Sequence, residues 1–315
     1  MRENKSIGKI LRDFGLLFAI VIIITIMSII SPVFLTSQNI INIIRQISIN
    51  GILAVGMTCI ILTGGIDLSV GSLVAVTSVI CGSMLLSGYN VFITCIVGVA
   101  VAVAFGLFNG VLVAKVGLQP FIATLATCEI GRGFALAFSN GKPYTITNKA
   151  FLKIGKGTIL DIPVPIIILV IVVVIGLIVL QRTTFGRYIF AIGGNKNAAK
   201  LSGVKTKKVE MMVYVISGIC CGIVGLILSA RISSGQPTAA EGYELDAIAA
   251  TAIGGTSMSG GRGGLYGTIL GFVIIGLISN SLNLLNVNSF YQQMVKGLII
   301  LLAVLLDMKT KGAKE

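Results

Sequence analysis

Few charged side chains lie inside the apolar stretches of this chain, and they limit the chemistry that it can perform. Asp67 lies in a glycine-rich break, and Glu129 and Arg132 lie three residues apart in one apolar stretch. The chain has no histidine that could act as the base for a nucleophile, and its 6 cysteines form no CxxC pair. The sequence therefore predicts no catalytic residue and no metal site, and we do not expect an enzyme.

The glycine-rich segments do not have the spacing of a nucleotide-binding loop. Gly141-Lys142 and Gly155-Lys156 lack the upstream glycine and the following serine or threonine of a P-loop. Tyr266 occupies the last glycine position of a GxGxxG pattern in the run 260–264. We therefore expect no cofactor in this chain, and a partner must supply the energy for any active transport.

Two roles are open for Asp67. As a helix N-cap, its carboxylate would accept hydrogen bonds from the backbone N–H of Ser69 or Val70. As part of a translocation pathway, it would contact a substrate. Glu129 and Arg132 share a helix face, so we expect them to neutralise each other inside the bundle; the alternative is a proton or ion relay.

Uncharged polar residues near the end of the chain suit a hydrophilic pathway. Asn280, Asn283 and Asn286 recur at a spacing of three, which predicts one polar stripe along a helix. Amides both donate to and accept from sugar hydroxyls, and the alternative is hydrogen bonding between helices. Lys296 is expected to snorkel to the membrane interface. The candidates for the translocation pathway are Asp67, Ser69, Asn280 and Asn283.

The composition places these residues in a membrane. The chain is 55% hydrophobic and 11% charged, with a mean hydropathy of +1.01, whereas soluble domains have roughly 25% charged residues. A soluble core of this size could not hide so much apolar surface, so we predict an all-α membrane protein. Residues 1–315 are expected to form a single transmembrane domain, a polytopic helical bundle. About ten membrane segments are expected, some short or broken by glycine, notably 40–62 and 244–257: 13–30, 40–62, 68–87, 91–114, 118–138, 162–180, 210–230, 244–257, 265–285 and 291–307.

Basic residues predict the orientation of the bundle. The segment 181–208 has no acidic residue, and the positive-inside rule makes it a cytoplasmic loop. Its basic residues are Arg182, Arg187, Lys196, Lys200, Lys205, Lys207 and Lys208. An even number of segments puts both tails, with Arg2 and Lys314, on the same side. The segment 232–246, with Glu241, Glu244 and Asp246, then faces outward, and so does 139–161, whose lysines oppose this orientation. The net charge of +13 follows from this topology, and we expect no nucleic-acid partner.

Two glycine-rich motifs predict an internal repeat. Gly64–Gly71 and Gly254–Gly261 both read GGxx[LM]SxG, both follow an apolar run, and both precede another segment. Repeated halves with glycine-broken segments at corresponding positions are typical of transporters. Chance similarity is the alternative in a chain with 39 glycines.

Four stretches resemble the permease family of bacterial sugar ABC importers, the branched-chain amino acid/ribose-type permeases. They are Gly51–Thr58 with ILTGGIDLSVGS (Ile61–Ser72), AIGGNKNAAKLSGVK (Ala191–Lys205), QPTAAEGYELDAIAATAIGGTSMSGGRGG (Gln236–Gly264) and NLLNVNSFYQQMVKGLIILLAVLLD (Asn283–Asp307). The resemblance covers nearly the whole chain and preserves the order of the motifs. It implies a helical permease of about ten segments in the bacterial inner membrane. Ribose is the first expectation for the sugar, and the permeases for xylose, galactose and autoinducer are similar.

The resemblance also implies the partners. They are a second copy of the permease, an ATPase subunit that binds ATP and Mg, and an extracytoplasmic sugar-binding protein. Carried over by position, the coupling to the ATPase falls to Gly194, Asn195, Ala198, Ala199, Leu201 and Gly203. The residues support this role, because Asn195 can cap a short helix and Gly203 can follow its C-terminus. Ala198, Ala199 and Leu201 predict a small apolar face that fits a groove of the partner.

We therefore expect the transmembrane permease subunit of an ABC importer that carries a monosaccharide into the cytoplasm. One alternative is an ion-coupled secondary transporter of a small polar solute, which would use Glu129, Arg132 and Asp67. Another is a membrane subunit without a pathway. Uptake by this chain alone, abolished by collapse of an ion gradient, would distinguish the ion-coupled transporter from the permease.

Overall fold

The computed structural model describes residues 3–312 and is almost entirely helical in that range. Arg2 and Lys314, which the predicted orientation includes, lie outside the described residues. The α-helices are α1 (Glu3–Ile30), α2 (Ser37–Leu62), α3 (Val70–Leu86), α4 (Val91–Val111), α5 (Pro120–Ser139), α6 (Lys149–Lys156), α7 (Val164–Arg182), α8 (Thr184–Gly194), α9 (Lys196–Leu201), α10 (Thr206–Ile232), α11 (Tyr243–Ile253), α12 (Leu265–Leu284) and α13 (Ser289–Gly312). A π-helical turn, Leu112–Val116, extends α4.

Each of the ten predicted segments coincides with one helix of this set. Within the part of the chain that the structure describes, six helices are long and apolar enough to cross a membrane: Ser37–Leu62, Val91–Val116, Pro120–Ser139, Val164–Arg182, Thr206–Ile232 and Leu265–Leu284. Phe14–Ile30 and Val70–Leu86 are shorter apolar helices. The expectation that 40–62 is interrupted is wrong, because α2 continues through its glycines. The protein is an all-α membrane protein, and its helices present broad apolar surfaces to lipid.

The bundle has an inner and an outer group of helices. Most of α2 and α10 is buried, whereas most residues of α4, α5 and α7 are partly or fully exposed. Small residues let α4 and α10 approach closely: a β-carbon at Gly106 would meet the backbone of Tyr214 and Gly218, and one at Gly218 would meet the backbone of Ala102. Close backbone approach of this kind replaces the hydrophobic driving force that helices lack in lipid.

The two ends of the bundle are named after the elements that precede and follow α10. At about 1.5 Å per residue, α10 is roughly 40 Å long. The α9 end contains α9, which precedes α10. The β end contains β1 (Tyr144–Thr145) paired antiparallel with β4 (Ser234–Gly235), which follows α10. A second pair, β2 (Thr158–Ile159) with β3 (Ile162–Pro163), lies in the 139–161 segment. Because β1 pairs with β4, the segments 139–161 and 232–246 lie at the same end, as the sequence predicted.

Two non-helical segments interrupt the bundle. Residues 63–69 connect α2 to α3, and residues 236–242 run from β4 to α11. The second segment passes along α3, because the amide of Gln236 donates to the Ser78 hydroxyl and Gly71 lies against Ala240 and Glu244. Non-helical backbone at such depth is tolerated only where protein or water satisfies its polar groups. These segments are therefore the places where polar side chains must gather.

Candidate functional site

The short helix α9 has the termini that the sequence predicted. The side-chain oxygen of Asn195 accepts a hydrogen bond of 2.9 Å from the Ala198 amide, which caps the first turn. Gly203 follows the helix with φ of +86°, a left-handed conformation that favours glycine. The cap and the glycine together fix where α9 begins and ends.

The exposed face of α9 is narrower than predicted. Leu201 is 90% exposed and Ala198 is also exposed, whereas Ala199 is only 5% exposed. Ala199 belongs to a buried apolar cluster that also contains Ile189 of α8 and Val209 of α10. The prediction that Ala199 faces a partner is therefore wrong: it holds α9 against the bundle, and the face that a partner can contact is formed by Ala198 and Leu201.

An ion pair fastens α9 to α10. Lys196 Nζ lies 2.6 Å from Glu210 Oε1, and the Glu210 side chain is 8% exposed. Exposed lysines surround α9 and line a groove of about 940 Å³ that it forms with the π-helical turn and the start of α10. The lysines of this groove are Lys115, Lys196, Lys200, Lys205, Lys207 and Lys208. The surface is thus a basic rim around one exposed leucine, which suits docking of a partner with an acidic border.

The segment 181–208, predicted as a loop with one short helix, contains a second helix before α9. Most of its first half forms the helix α8, which begins at the N-cap Thr183 and has its own buried face. Near the C-terminus of α8, Gly193 lies against the carbonyl of Leu62 and the amide of Gly261, with no room for a β-carbon. Helix α8, which leads into α9, therefore packs closely against the end of α2 and the loop after α11.

The two GGxx[LM]SxG motifs meet at this point, and each ends a helix in the same way. The amides of Gly64 and Gly65 donate to carbonyls in the last turn of α2, and the amides of Gly255 and Thr256 do the same in α11. Gly64 and Gly255 both have positive φ, of 81° and 79°. The predicted alignment, which paired Gly64 with Gly254, is wrong by one residue, because hydrogen bonding pairs Gly64 with Gly255.

Asp67 lies in a buried cluster of polar side chains, the Asp67 cluster (Asp67, Ser69, Asn109, Tyr214 and Ser217). Asp67 Oδ1 accepts from the Ser69 amide at 2.9 Å and its hydroxyl at 2.6 Å, and Oδ2 accepts from the Ser217 hydroxyl at 2.9 Å. Asn109 donates to the Ser69 hydroxyl at 2.9 Å. The predicted bond from the Ser69 amide is formed, but Asp67 is not the N-cap of α3, because the helix begins at Val70 and Ser69 occupies the N-cap position. Both Asp67 and Ser69 are fully buried.

Arg132 does not pair with Glu129 as predicted. Its Nη1 donates to the carbonyls of Pro237 and Ala239, at 2.7 and 2.9 Å. Glu129 is exposed, and the ion pairs between described side chains do not include these two residues. The reason is that the non-helical segment 236–242 leaves carbonyls without backbone partners, and a guanidinium satisfies two of them at once.

Lys296 does not reach toward the interface as predicted. Its Nζ lies 2.8 Å from Asp246 Oδ2, and the two side chains are 22% and 1% exposed. Asp246, which the sequence placed in a segment on the outer side of the membrane, is buried in this pair. The pair joins α13 to α11, which is too short to cross a membrane alone.

A second polar cluster, which is partly buried, was not predicted from the sequence. The Gln46 cluster (Gln46, Asn50, Arg231, Tyr243, Asp246 and Lys296) gathers side chains from α2, α10, α11 and α13. One signal was available: Gln46 and Asn50 are four apart in an apolar helix, so they share a face. The contact of this face with Arg231, far along the chain, has no local signature.

The predicted stripe of three asparagines is not formed. Helix α12 ends at Leu284, so Asn286 lies beyond it. Asn280 exchanges two hydrogen bonds with Asn39 of α2, at 3.2 and 2.8 Å, and is 9% exposed. Asn283 is exposed and accepts from Gln292 at 2.9 Å. The amides of Asn280 and Asn283 therefore have separate partners.

Comparison with known proteins places this arrangement in a family. The chain is 48% identical to the ribose import permease protein RbsC of Bacillus subtilis over 311 residues, 98% of this chain and 97% of that protein. It is 40% identical to the D-allose transport system permease protein AlsC of Escherichia coli, over 93% of this chain and 91% of that protein. It is 34% identical to the L-arabinose ABC transporter permease protein AraH of Azospirillum brasilense, over 100% of this chain and 93% of that protein.

No solved structure matches the chain. The family model for the permease component of branched-chain amino acid transport systems matches residues 39–304. That range contains both glycine-rich motifs, α9 and both polar clusters. This chain therefore belongs to the family of branched-chain amino acid transport system permease components.

Proposed function

We propose that this chain is the membrane-spanning permease subunit of an ABC importer that carries ribose into the cytoplasm. The observation that carries the proposal is similarity over nearly the full length to a ribose import permease, at 48% identity. The similarity to the allose and arabinose permeases is lower, at 40% and 34%. An ATPase subunit, an extracytoplasmic sugar-binding protein and a second copy of the permease complete the assembly, and ATP and Mg are bound by the ATPase.

The proposed topology has about ten membrane segments in one domain, with both chain termini in the cytoplasm. It is supported by the direction of α1, because only residues 31–36 separate its C-terminus from the start of α2, where Asn39 hydrogen-bonds to Asn280 near the C-terminal end of α12. Helix α1 thus runs in the same direction as α12 and begins toward the α9 end. The α9 end has the basic rim, which by the positive-inside rule is the cytoplasmic end.

The proposed coupling element is α9 with its flanking residues. Leu201 and Ala198 contact the ATPase, Asn195 and Gly203 fix the ends of the helix, and Gly194 connects it to α8. Ala199 takes part by holding α9 to the bundle. Support comes from the exposure of Leu201, because a leucine that is 90% exposed at the C-terminus of a short capped helix is suited to insertion into a partner's groove.

The proposed pathway passes the two polar clusters. Asp67 and Ser69 become accessible when the segment 63–69 moves, and the unpartnered Asn109 Oδ1 and Tyr214 hydroxyl support a polar passage there. Asn280 and Asn283 stay candidates at the β end, where Asn283 is exposed. The ion-coupled alternative is not favoured, because the Glu129–Arg132 relay that it requires is not formed.

Reconstitution tests the function. Proteoliposomes that hold the permease with its ATPase, supplied with the loaded binding protein, are expected to accumulate radiolabelled ribose only when ATP is on the ATPase side. Ionophores that collapse proton and sodium gradients are expected to leave the rate unchanged. Accumulation by the permease alone, or loss of accumulation with the ionophores, would contradict the proposal.

A further inference from the structure

We propose that the Gln46 cluster is a binding site for an uncharged polyhydroxylated sugar on its way through the permease. This inference rests on the proposed function and names the place in this chain where the sugar is held. The cluster is assembled from four helices, so its geometry changes whenever those helices move relative to one another.

Gln46 is the centre of the cluster. Its side-chain oxygen accepts from Arg231 Nη1 at 3.2 Å, and its side-chain nitrogen lies 3.5 Å from Asn50 Oδ1. The Tyr243 side chain, from the first residue of α11, lies near the same amide. Residues of α2, α10 and α11 thus converge on one amide, at the point where α11 begins after the non-helical segment 236–242.

Polar atoms of the cluster are left without partners. The side-chain nitrogen of Asn50 and the Oδ1 of Asp246 are buried and unpartnered, although both residues are only 1% exposed. Arg45 Nε, beside the cluster on α2, is unpartnered too. Buried polar groups normally have hydrogen-bond partners, so such a concentration points to a ligand. The unpartnered set contains donors and an acceptor, which matches a sugar hydroxyl that both donates and accepts.

The charges of the cluster suit an uncharged ligand. Lys296 is neutralised by Asp246 at 2.8 Å, and the Arg231 guanidinium is directed at the Gln46 oxygen. Charged donors form stronger hydrogen bonds to neutral hydroxyls than neutral donors do. The arrangement therefore offers strong hydrogen bonds without requiring a charged group on the sugar.

The cluster lies near the β end, where a binding site could receive sugar that enters the pathway from that end. Arg231 is the next-to-last residue of α10, and Gln46, Arg231, Tyr243 and Lys296 are all partly exposed. Along α10, Ser217 of the Asp67 cluster lies about 21 Å away, at roughly 1.5 Å per residue. Val224 and Ile227, both fully buried, lie between them. A sugar held in the Gln46 cluster is thus separated from the Asp67 cluster by an apolar layer.

The substitution Asn50→Leu tests the site, because it removes the unpartnered donor, together with the oxygen that faces Gln46, keeps the number of side-chain heavy atoms and changes no charge. In proteoliposomes with the ATPase and saturating loaded binding protein, we expect ribose transported per ATP hydrolysed to fall about tenfold, with stimulation of the ATPase by the binding protein retained. A merely structural role would lower uptake and stimulated hydrolysis together. An unchanged ratio of ribose to ATP would overturn the proposal.

Tyr243→Phe provides a second variant in case Asn50→Leu does not insert, because it removes only a hydroxyl. Its expected effect is a severalfold fall in the same ratio. Tyr144→Phe is the matched control: the Tyr144 hydroxyl donates to the Phe138 carbonyl at the β end, outside the cluster. Equal ratios in the two tyrosine variants would also overturn the proposal. Failure of the proposed function is distinguishable, because the wild-type chain would then transport no ribose with ATP.

Discussion

The backbone amide of Gly261 donates a hydrogen bond of 3.0 Å to the carbonyl oxygen of Leu62. This bond joins the last residue of α2 to the loop after α11, which carry the two glycine-rich motifs. Gly193 packs against the two atoms of this hydrogen bond, the Leu62 oxygen and the Gly261 nitrogen, and α9 begins three residues later, at Lys196. A displacement of α9 would therefore reach both glycine-rich motifs through one glycine.

Gly193→Ala is expected to interrupt this transmission. The added methyl group collides with backbone atoms of Leu62 and Gly261, which cannot rotate away as a side chain can. We expect ribose transported per ATP hydrolysed to fall about tenfold, as overpacking costs typically 1–3 kcal/mol. Gly133→Ala on α5 is the control, because a β-carbon there meets nothing within 4 Å. A Gly193→Ala variant that transports like this control would remove the transmission role.

Gly203→Val is expected to uncouple the permease while leaving its insertion intact. The space around Gly203 is open, so the strain comes from its φ of +86° alone, and a β-branched residue there costs about 1–2 kcal/mol or more. The turn after α9 then changes, and the orientation of Leu201 changes with it. Gly88→Val is the matched control, because Gly88 has φ of +82° and equally open surroundings after α3. The measurement is ribose uptake relative to ATP hydrolysis, and equal loss in the two variants would refute the assignment.

Leu201→Asp is expected to weaken assembly with the ATPase without lowering the stability of the permease. Leu201 makes little contact with its own chain at 90% exposure, so surface substitution there is worth less than about 0.5 kcal/mol to folding. Co-purification of the ATPase with the tagged permease measures the effect, and we expect at least about a tenfold loss of affinity. Leu160→Asp is the control, because Leu160 is 91% exposed between β2 and β3. Undiminished co-purification with Leu201→Asp would show that α9 is not the docking element.

Asp246→Asn is expected to destabilise the bundle, because it leaves the Lys296 ammonium partly buried without its counter-charge. Breaking a buried pair from one side costs about 3 kcal/mol, and the 22% exposure of Lys296 reduces this figure somewhat. The midpoint of thermal unfolding in detergent should fall accordingly. Replacing both partners, in Asp246→Leu with Lys296→Met, should restore part of the loss. Asp161→Asn in the exposed β2–β3 turn should change nothing; an equally small effect of Asp246→Asn would mean that the pair does not stabilise the bundle.

The ten helices that coincide with predicted segments could be predicted from local sequence, because apolar runs of sufficient length can only be helical in lipid. The ends of α9 could be predicted too, since Asn195 and Gly203 end the helix through contacts with residues close to them in sequence. Ala199 was misjudged because its burial depends on Val209 of α10, and no rule of spacing within a six-residue helix predicts which side faces the bundle.

The polar residues were harder to predict, because their partners are distant in sequence. Arg132 satisfies carbonyls more than a hundred residues away, and Lys296 pairs with Asp246 across fifty positions. Sequence spacing favoured Glu129 as the partner of Arg132. An i,i+3 ion pair contributes only about 0.2–0.5 kcal/mol, and leaving the carbonyls of a buried non-helical segment without donors costs more. Charge neutrality within one helix therefore predicted the wrong partner.

Photo-crosslinking from position 201 tests the central claim most directly. A benzoylphenylalanine placed there should crosslink to the ATPase subunit in membranes that hold the complete importer, and the yield should change between ATP-bound and nucleotide-free states. The same probe at position 160 should give no crosslink to the ATPase. A crosslink from position 160 to the ATPase, or none from position 201 in an importer that is transporting ribose, would contradict the account.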